Sequence, residues 1–416
     1  MTTAPAAEQL RVSSRVVSGP EGELFDLLPA PSDALSWVNG GEGIVGWGEL
    51  ARIEATGPLR FTRLDSWWRS FAARMRVRDE VNLPGSGPVA FTSLAFADQP
   101  GRSVLVVPKV VMGRRDGVTW VTELGGDDSW PPVEVQPVGE PGRLRYADGE
   151  LSVTAWRRAV ASAVRQMRAG ELAKVVLAHD LVAVAENPVD PRYLLRGLAG
   201  SYPSCWVFSV DGLVGATPEL LVRRFGQRVD TRVLAGTAWP HDGLSAEQVA
   251  AELLASEKNR EEHAYAVQSM VEALRPFCSS LEVPDGPSVL RLHNVQHLAT
   301  EIHGRLTGGQ SVLRLAWLAH PTAAVGGTPA PDARRLIGEL ERMDRGRYAG
   351  PVGWVDAAGN GELGIALRCA EVSGRTVRLF AGCGIVADSD PDSEVREAAA
   401  KLVPIRDALE GVVSAE

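Results

Sequence analysis

The sequence is poor in cysteine, in net positive charge and in long apolar runs. Its four cysteines, Cys205, Cys278, Cys369 and Cys383, stand far apart, with no CxxC pair and no Cys/His spacing of the kind that holds zinc. Reduced thiols in a cytosolic protein fit this pattern better than disulfides, and no zinc site is legible. A formal charge of -9 over 416 residues gives no basic field for gripping nucleic acid or an acidic membrane. An anionic substrate must then be held by a few local cations, which favours a small ligand. No run of about 18 apolar residues occurs. The opening MTTAPAAEQLRV has neither a basic nor an apolar segment, so neither export nor a membrane span is expected. The expected location is the cytoplasm.

What is present is the balance of a folded globular protein, with 45% apolar and 23% charged residues. The length calls for two domains or one large two-lobed α/β domain. From Val38 to Trp120 the pattern is mostly β: GIVGWGELARIEA, PVAFTSLAF and SVLVVPKVVMGRR read as strands, interrupted by an amphipathic helix over LDSWWRSFAARM, residues 64–75. The Gly/Pro/Asp-rich stretch from Gly125 to Gly142 is the candidate boundary between an amino-terminal β-rich lobe, 1–145, and a second region, 151–412. That region opens with a helical stripe of Trp156, Val160, Val164 and Met167, followed by KVVLAHDLVAVA as a buried strand. Strands are expected from CWVFSV to LAGTA, a long helix from Ala246 to Phe277, and a β-meander from GPVGWV to AGCGIV. No fixed repeat appears, so the expected fold class is α/β (α+β), with large antiparallel sheets covered by helices.

Chemistry-bearing residues stand at a few places. In SDPDSEVREAAAKL the offsets put Glu394, Glu397 and Lys401 on one helical face with Val395, Ala399 and Leu402. SEKNREEHAYAV carries Glu262 and His263 on another helix. Taken singly, such helices are solvated faces with ion pairs at i,i+4, here Lys258 to Glu262 and Glu397 to Lys401. Brought together, their carboxylates make an oxygen cage that suits Mg2+ better than Zn2+. Lys174 opens the apolar run KVVLA and is either a snorkelling strand-end lysine or an amine placed to act as a base. Glu219 follows the rigid Thr217-Pro218 and precedes Leu220-Leu221; apolar walls there raise a carboxyl's pKa, as a general acid requires. LAGTA and AGCGIV offer Gly-permitted close approaches, and GxG by itself does not imply a nucleotide.

KVVLA, TPELLVRR, LAGTA, SEKNREEH, VQHLATEI, HPTAAVGGTP, RGRYAGPVGWVD, ALRCA, AGCGIV and SDPDSEVREAAAKL occur in the order seen in chorismate-utilising enzymes, from about Leu151 to Glu410. Together they resemble isochorismate synthases, and the amino-terminal GIVGWGELARIEATGPLRF and PVAFTSLAF resemble the menaquinone-type actinobacterial members. The resemblance implies an anthranilate-synthase-component-I-like chorismate-binding fold. It also implies an isomerase that adds water at C2 of chorismate with loss of the C4 hydroxyl, without nucleotide or redox cofactor. On these residues it implies Lys174 as the base and Glu219 as the acid. Glu262 and Glu397 become Mg2+ carboxylates, with Glu394 acting through water. Gly236, Thr237, His297, Ala324, Tyr348, Arg368, Gly382 and Lys401 surround the substrate. Lysine at 174 and HPTAAVGGTP separate the chain from ammonia-using relatives that resemble one another in a glutamine there and FPxGTxxGxPK later, so no glutamine amidotransferase subunit is expected.

Menaquinone synthesis is the expected pathway and siderophore supply its alternative. Salicylate synthases share the lysine but lack the HPTxA pattern, and a non-catalytic chorismate-binding subunit is the reading from another class. His179, where arginine is frequent, Ala323, where proline is frequent, and the missing threonine after the metal glutamate depart from the family pattern without removing a catalytic group.

Overall fold

The computed structural model describes residues 10–19, 22–126, 134–239, 243–293 and 295–412. Among these, all the strands join one hydrogen-bonded network, almost wholly antiparallel, with helices laid against it. The three strands read from the amino-terminal pattern form as Glu42–Ala55, Val89–Ser93 and Ser103–Arg115. Glu42–Ala55 and Ser103–Arg115 pair antiparallel along most of their length. Pairing then crosses the chain. Leu35–Asn39 lies beside Trp206–Val210, and Val89–Ser93 beside Pro351–Asp356, so regions 1–145 and 151–412 are laced into one sheet network.

The candidate boundary, 125–142, lies partly outside the described residues. Its described end is tied down: Gln136 N–H donates to Pro29 O at 2.8 Å, and the buried Arg192 guanidinium donates to Gln136 O at 3.0 Å.

The expected helix at 64–75 is Arg60–Ala72, because Met75 already opens the strand Met75–Asp79, which pairs parallel with Leu10–Val16. The stripe of Trp156, Val160, Val164 and Met167 is buried in the helix Val153–Arg168, whose first turn is capped by the Ser152 side chain accepting from Ala155 N. The expected single helix from Ala246 to Phe277 is instead two, Ala246–Ala255 and Glu257–Leu274, followed by a 3-10 turn at Arg275–Phe277. Ser256 makes the break. Its backbone is extended and its hydroxyl accepts from Asn259 N at 3.3 Å and Asn259 Nδ2 at 3.0 Å, which restarts the helix on a new axis.

The expected meander from GPVGWV to AGCGIV is two hairpins on different neighbours. Gly361–Ile365 lies against Leu220–Phe225, whereas Cys369–Ser373 lies against Leu213–Thr217. Arg368 sits in the link between them with a left-handed backbone, φ 46°.

Five elements position the site. Lys174–Ala185 pairs antiparallel with Thr376–Ile385, setting Gly384 opposite Val176 and Gly382 opposite Ala178. The helix Pro391–Glu410 packs on Thr376–Ile385, and Glu257–Leu274 packs on Arg228–Ala238. On Pro391–Glu410 the buried face carries Glu394, Ala398, Lys401, Leu402 and Ile405. Ala399, expected on that face, is exposed, and Val395 is half-buried.

Ser256→Ala removes the cap that starts the Glu262 helix. A stability loss of about 1 kcal/mol is expected, read as a lower denaturation midpoint; an unchanged midpoint would mean the helix break does not depend on this hydroxyl.

Candidate active site

Lys174, the first residue of its strand, has a fully buried side chain whose Nζ lies 3.1 Å from Glu262 Oε1. The contact is an ion pair without hydrogen-bond geometry, so the amine is left with no hydrogen-bond partner among the described residues. Room for it comes from AGCGIV. A Cβ on Gly384 would fall 2.2 Å from Glu262 Oε1 and 3.2 Å from Lys174 Cε. A Cβ on Gly382 would fall 2.8 Å from the Tyr348 hydroxyl. The Gly-spaced approach serves the enzyme's own side chains.

Glu219 sits between the strands Leu213–Thr217 and Leu220–Phe225, its N–H donating to Thr217 Oγ1 at 3.3 Å. Burial pushes its carboxyl up to about 8, although the positive charges of Lys174, Arg368 and Lys401 work in the opposite direction. It is therefore an acid that still holds its proton at neutral pH.

Arg368, His297 and Thr237 form a hydrogen-bonded chain. Arg368 Nη2 donates to His297 Nε2 at 3.0 Å, which places the ring proton on Nδ1, 3.1 Å from Thr237 Oγ1. Burial, reinforced by Arg368 and Lys401, holds this imidazole neutral well below its ordinary range. With its oxygen accepting from His297, the Thr237 hydroxyl keeps its own proton to donate elsewhere.

Gly236, at φ 78°, lets the chain turn where a Cβ would meet Asn259 O at 3.0 Å. Asn259 Oδ1 accepts from Thr237 N at 3.2 Å. His263 donates from Nδ1 to Ala235 O at 3.1 Å and accepts from the Thr300 hydroxyl at 2.7 Å, its pKa pushed down to about 4 by burial. Both residues of SEKNREEH thus hold LAGTA in place, which is the bulged end of the strand Arg228–Ala238 and not a loop. Their role was not read from the sequence; the only signal was their offsets of three and one residues from Glu262.

Lys401 Nζ donates to Gly382 O at 2.9 Å and to Glu397 Oε1 at 2.6 Å. Burial opposes its charge, but Glu397 and its other neighbours outweigh that and raise its affinity for the proton. Lys258, expected on Glu262 of its own helix, instead reaches Glu394 Oε1 on the other helix at 3.4 Å. Glu394 is pushed up to about 7 by burial and by the carboxylate of Glu397 beside it. Ligand atoms of Glu394, Glu397 and Cys383 lie within 4.8 Å of one another. Burial and the neighbouring carboxylates keep the Cys383 thiol protonated, so the donors on offer are oxygens, and the set fits a hard divalent cation. Glu262 lies outside that trio; its Oε1 faces Lys174.

Glu219, Gly236, Thr237, Glu262, His297, Ala324, Tyr348, Arg368, Gly382 and Lys401 line one cavity. Lys174 stands behind Glu262 and Gly384 at its edge. Tyr348 is fixed by stacking on Phe380, ring centroids 5.0 Å apart. Two further residues shape the wall. Arg345, paired bidentately with Glu341, donates to Val325 O at 2.9 Å and Val176 O at 2.8 Å, while Glu341 Oε1 accepts from Ala178 N at 2.7 Å. This clamp joins HPTAAVGG to the Lys174 strand. Its i,i+4 spacing in ELERMDR was the one signal available.

Residues 136–410 match the family model described as "Chorismate binding enzyme". The chain is similar to the isochorismate synthase DhbC of Bacillus subtilis, 39% identical over 80% of this chain and 76% of that protein. It resembles the solved structure of MenF, the menaquinone-specific isochorismate synthase from Escherichia coli, with a TM-score of 0.79, 26% identity, and coverage of 96% of this chain and 94% of that one. It shares its fold with anthranilate synthase component I of Streptococcus pneumoniae, with a TM-score of 0.69, 20% identity, and coverage of 94% and 95%. Relatives of this kind are covered over between 57% and 87% of their own length. No described helix is long and apolar enough to cross a membrane. With the family model matching from the linker to the last helix and the motif residues gathered around one cavity, the chain belongs to the chorismate-binding enzyme family.

Proposed function

We propose that the chain is an isochorismate synthase that converts chorismate to isochorismate with Mg2+, in the cytoplasm. Menaquinone synthesis is the pathway it feeds, with siderophore supply as the alternative. The observation that carries this reading is a buried carboxyl that keeps its proton, Glu219, set in the electrostatic field of a buried amine, Lys174, beside a cavity lined by cations.

The isomerisation takes in one water and releases another. In this reading Lys174 acts in its uncharged form, having first released to solvent the proton of its ion pair with Glu262, and a water loses a proton to that amine as its oxygen bonds to ring C2. The ring double bonds shift, the C4–O bond breaks, and the departing oxygen takes the Glu219 proton and leaves as water. Arg368 presents a planar guanidinium fork to one substrate carboxylate, and Lys401 a compact charge. His297, held neutral, orients that fork through Nε2 and leaves the Thr237 hydroxyl free to donate to the substrate. The clamp of Arg345 and Glu341 keeps the wall in register with the Lys174 strand, which limits the drift of base relative to acid. Glu262 and Glu397, with Glu394 acting through water, would hold a Mg2+, which would supply positive charge to offset a substrate carboxylate.

Chromatography of chorismate incubated with the protein tests the assignment. Isochorismate is expected with Mg2+, and none after chelation. Salicylate with pyruvate would replace the reading with that of a salicylate synthase, and no product under either condition would leave a non-catalytic binding subunit. Lys174→Ala and Glu219→Gln are each expected to lower kcat by roughly a hundred- to ten-thousandfold, with substrate binding, read by calorimetry, largely kept; full activity in either variant would remove its assigned role. Because Glu219 acts only while protonated and burial pushes its carboxyl up to about 8, the rate should decline above that pH. The residual activity of Glu219→Gln should lack this descending limb, and an unchanged profile would assign it to another group.

A further inference from the structure

Each carboxylate assigned to the cation has its own ammonium. Lys174 Nζ lies 3.1 Å from Glu262, Lys401 Nζ 2.6 Å from Glu397, and Lys258 Nζ 3.4 Å from Glu394. Each of these acids thus has a counter-charge of its own without a metal. Lys174 and Lys401 have work to do in the proposed reaction; Lys258 has none. It stands one helical turn before Glu262, where i,i+4 spacing favours a pair within its own helix. It reaches instead across to Pro391–Glu410 and closes over Glu394. The Glu394 side chain is 3% exposed while that of Lys258 is 41% exposed, so the ammonium comes from the solvent side onto a carboxylate that water scarcely reaches.

Resting on the reading that a divalent cation occupies this cage, we propose that Lys258 is a positioning residue that holds Glu394 in the cation-free enzyme and competes with the entering cation. It thereby sets the metal affinity. A carboxylate buried beside Glu397 with no counter-charge would be costly and free to turn away. The Lys258 ammonium keeps Glu394 aimed inward at the cost of opposing any second positive charge that approaches. Because its stem is partly exposed, the lysine can swing into water when the cation arrives, taking its charge with it. Lys174 and Lys401, buried at their own carboxylates, have no such exit.

Binding of Mn2+ alone to the full-length protein, followed by electron paramagnetic resonance of the free ion and by calorimetry, tests this without turnover. Lys258→Met and Lys258→Gln are expected to bind Mn2+ about two- to fivefold more tightly than the wild type, the range that removing one half-exposed ion pair makes available. Lys258→Arg, which keeps the charge, should bind as the wild type does. In the absence of metal, Lys258→Met should melt at a lower temperature and recover with Mn2+. A neutral variant that binds no more tightly than the wild type overturns the role of Lys258 and leaves the cation site standing. A wild type that binds neither Mn2+ nor Mg2+ overturns the cation reading itself, and this inference with it.

Discussion

Everything in the cavity depends on balancing charge where water is scarce. Glu219, Glu262, Arg368 and Lys401 line it, with Lys174 against Glu262 at its edge and the pairs of Lys401 with Glu397 and Lys258 with Glu394 extending outside the lining. An isolated ion moved into such surroundings loses several kcal/mol of hydration. Opposite charges recover that loss only if they are held at contact distance. Glu219 shows the other solution: with no ion pair among the described residues, burial pushes its carboxyl up to about 8. Burial thus favours the proton most at the carboxyl without a paired cation, which acid–base chemistry needs.

The frame that fixes these distances is made of backbone and of small residues. Strand register sets Gly382 and Gly384 against the Lys174 strand, and the missing side chains make room for Tyr348, Glu262 and Lys174. Asn259 and His263 then tie the LAGTA end of the strand Arg228–Ala238 to the Glu262 helix, which fixes the Thr237 hydroxyl relative to the carboxylate. The clamp of Glu341 and Arg345 does the same between the Lys174 strand and the HPTAAVGG turn. Little of this apparatus touches the cavity through polar side chains of its own.

Local pattern made much of the fold legible. Runs such as SVLVVPKVVMGRR and the Trp156 stripe carry their periodicity on their face, and they form where the pattern places them. The motif order brought the chemistry-bearing residues to attention, and the fold gathers Glu219, Glu262, Arg368 and Lys401 around one hollow while leaving Lys174, Glu394 and Glu397 out of its lining. What could not be read was anything settled by a distant partner. Spacing gave Lys258 to Glu262, its neighbour on the same helix, yet Glu394 arrives from far along the chain and offers the more buried charge. The meander failed for the same reason: adjacency in sequence does not say that Leu213–Thr217 and Leu220–Phe225 will take the two hairpins as separate flanks. The division at Ser256 was written in the sequence, since serine caps helices, but a run of helix formers on both sides masked it.

The interleaving of early and late strands bears on how the molecule is made. Leu35–Asn39 and Val89–Ser93 leave the ribosome long before Trp206–Val210 and Pro351–Asp356 exist to pair with them. Until then their edges are open, and the nascent protein carries adhesive borders through most of its synthesis. Such a sheet is completed only when the late strands are made, and a cut between the regions would bare two strand edges at once.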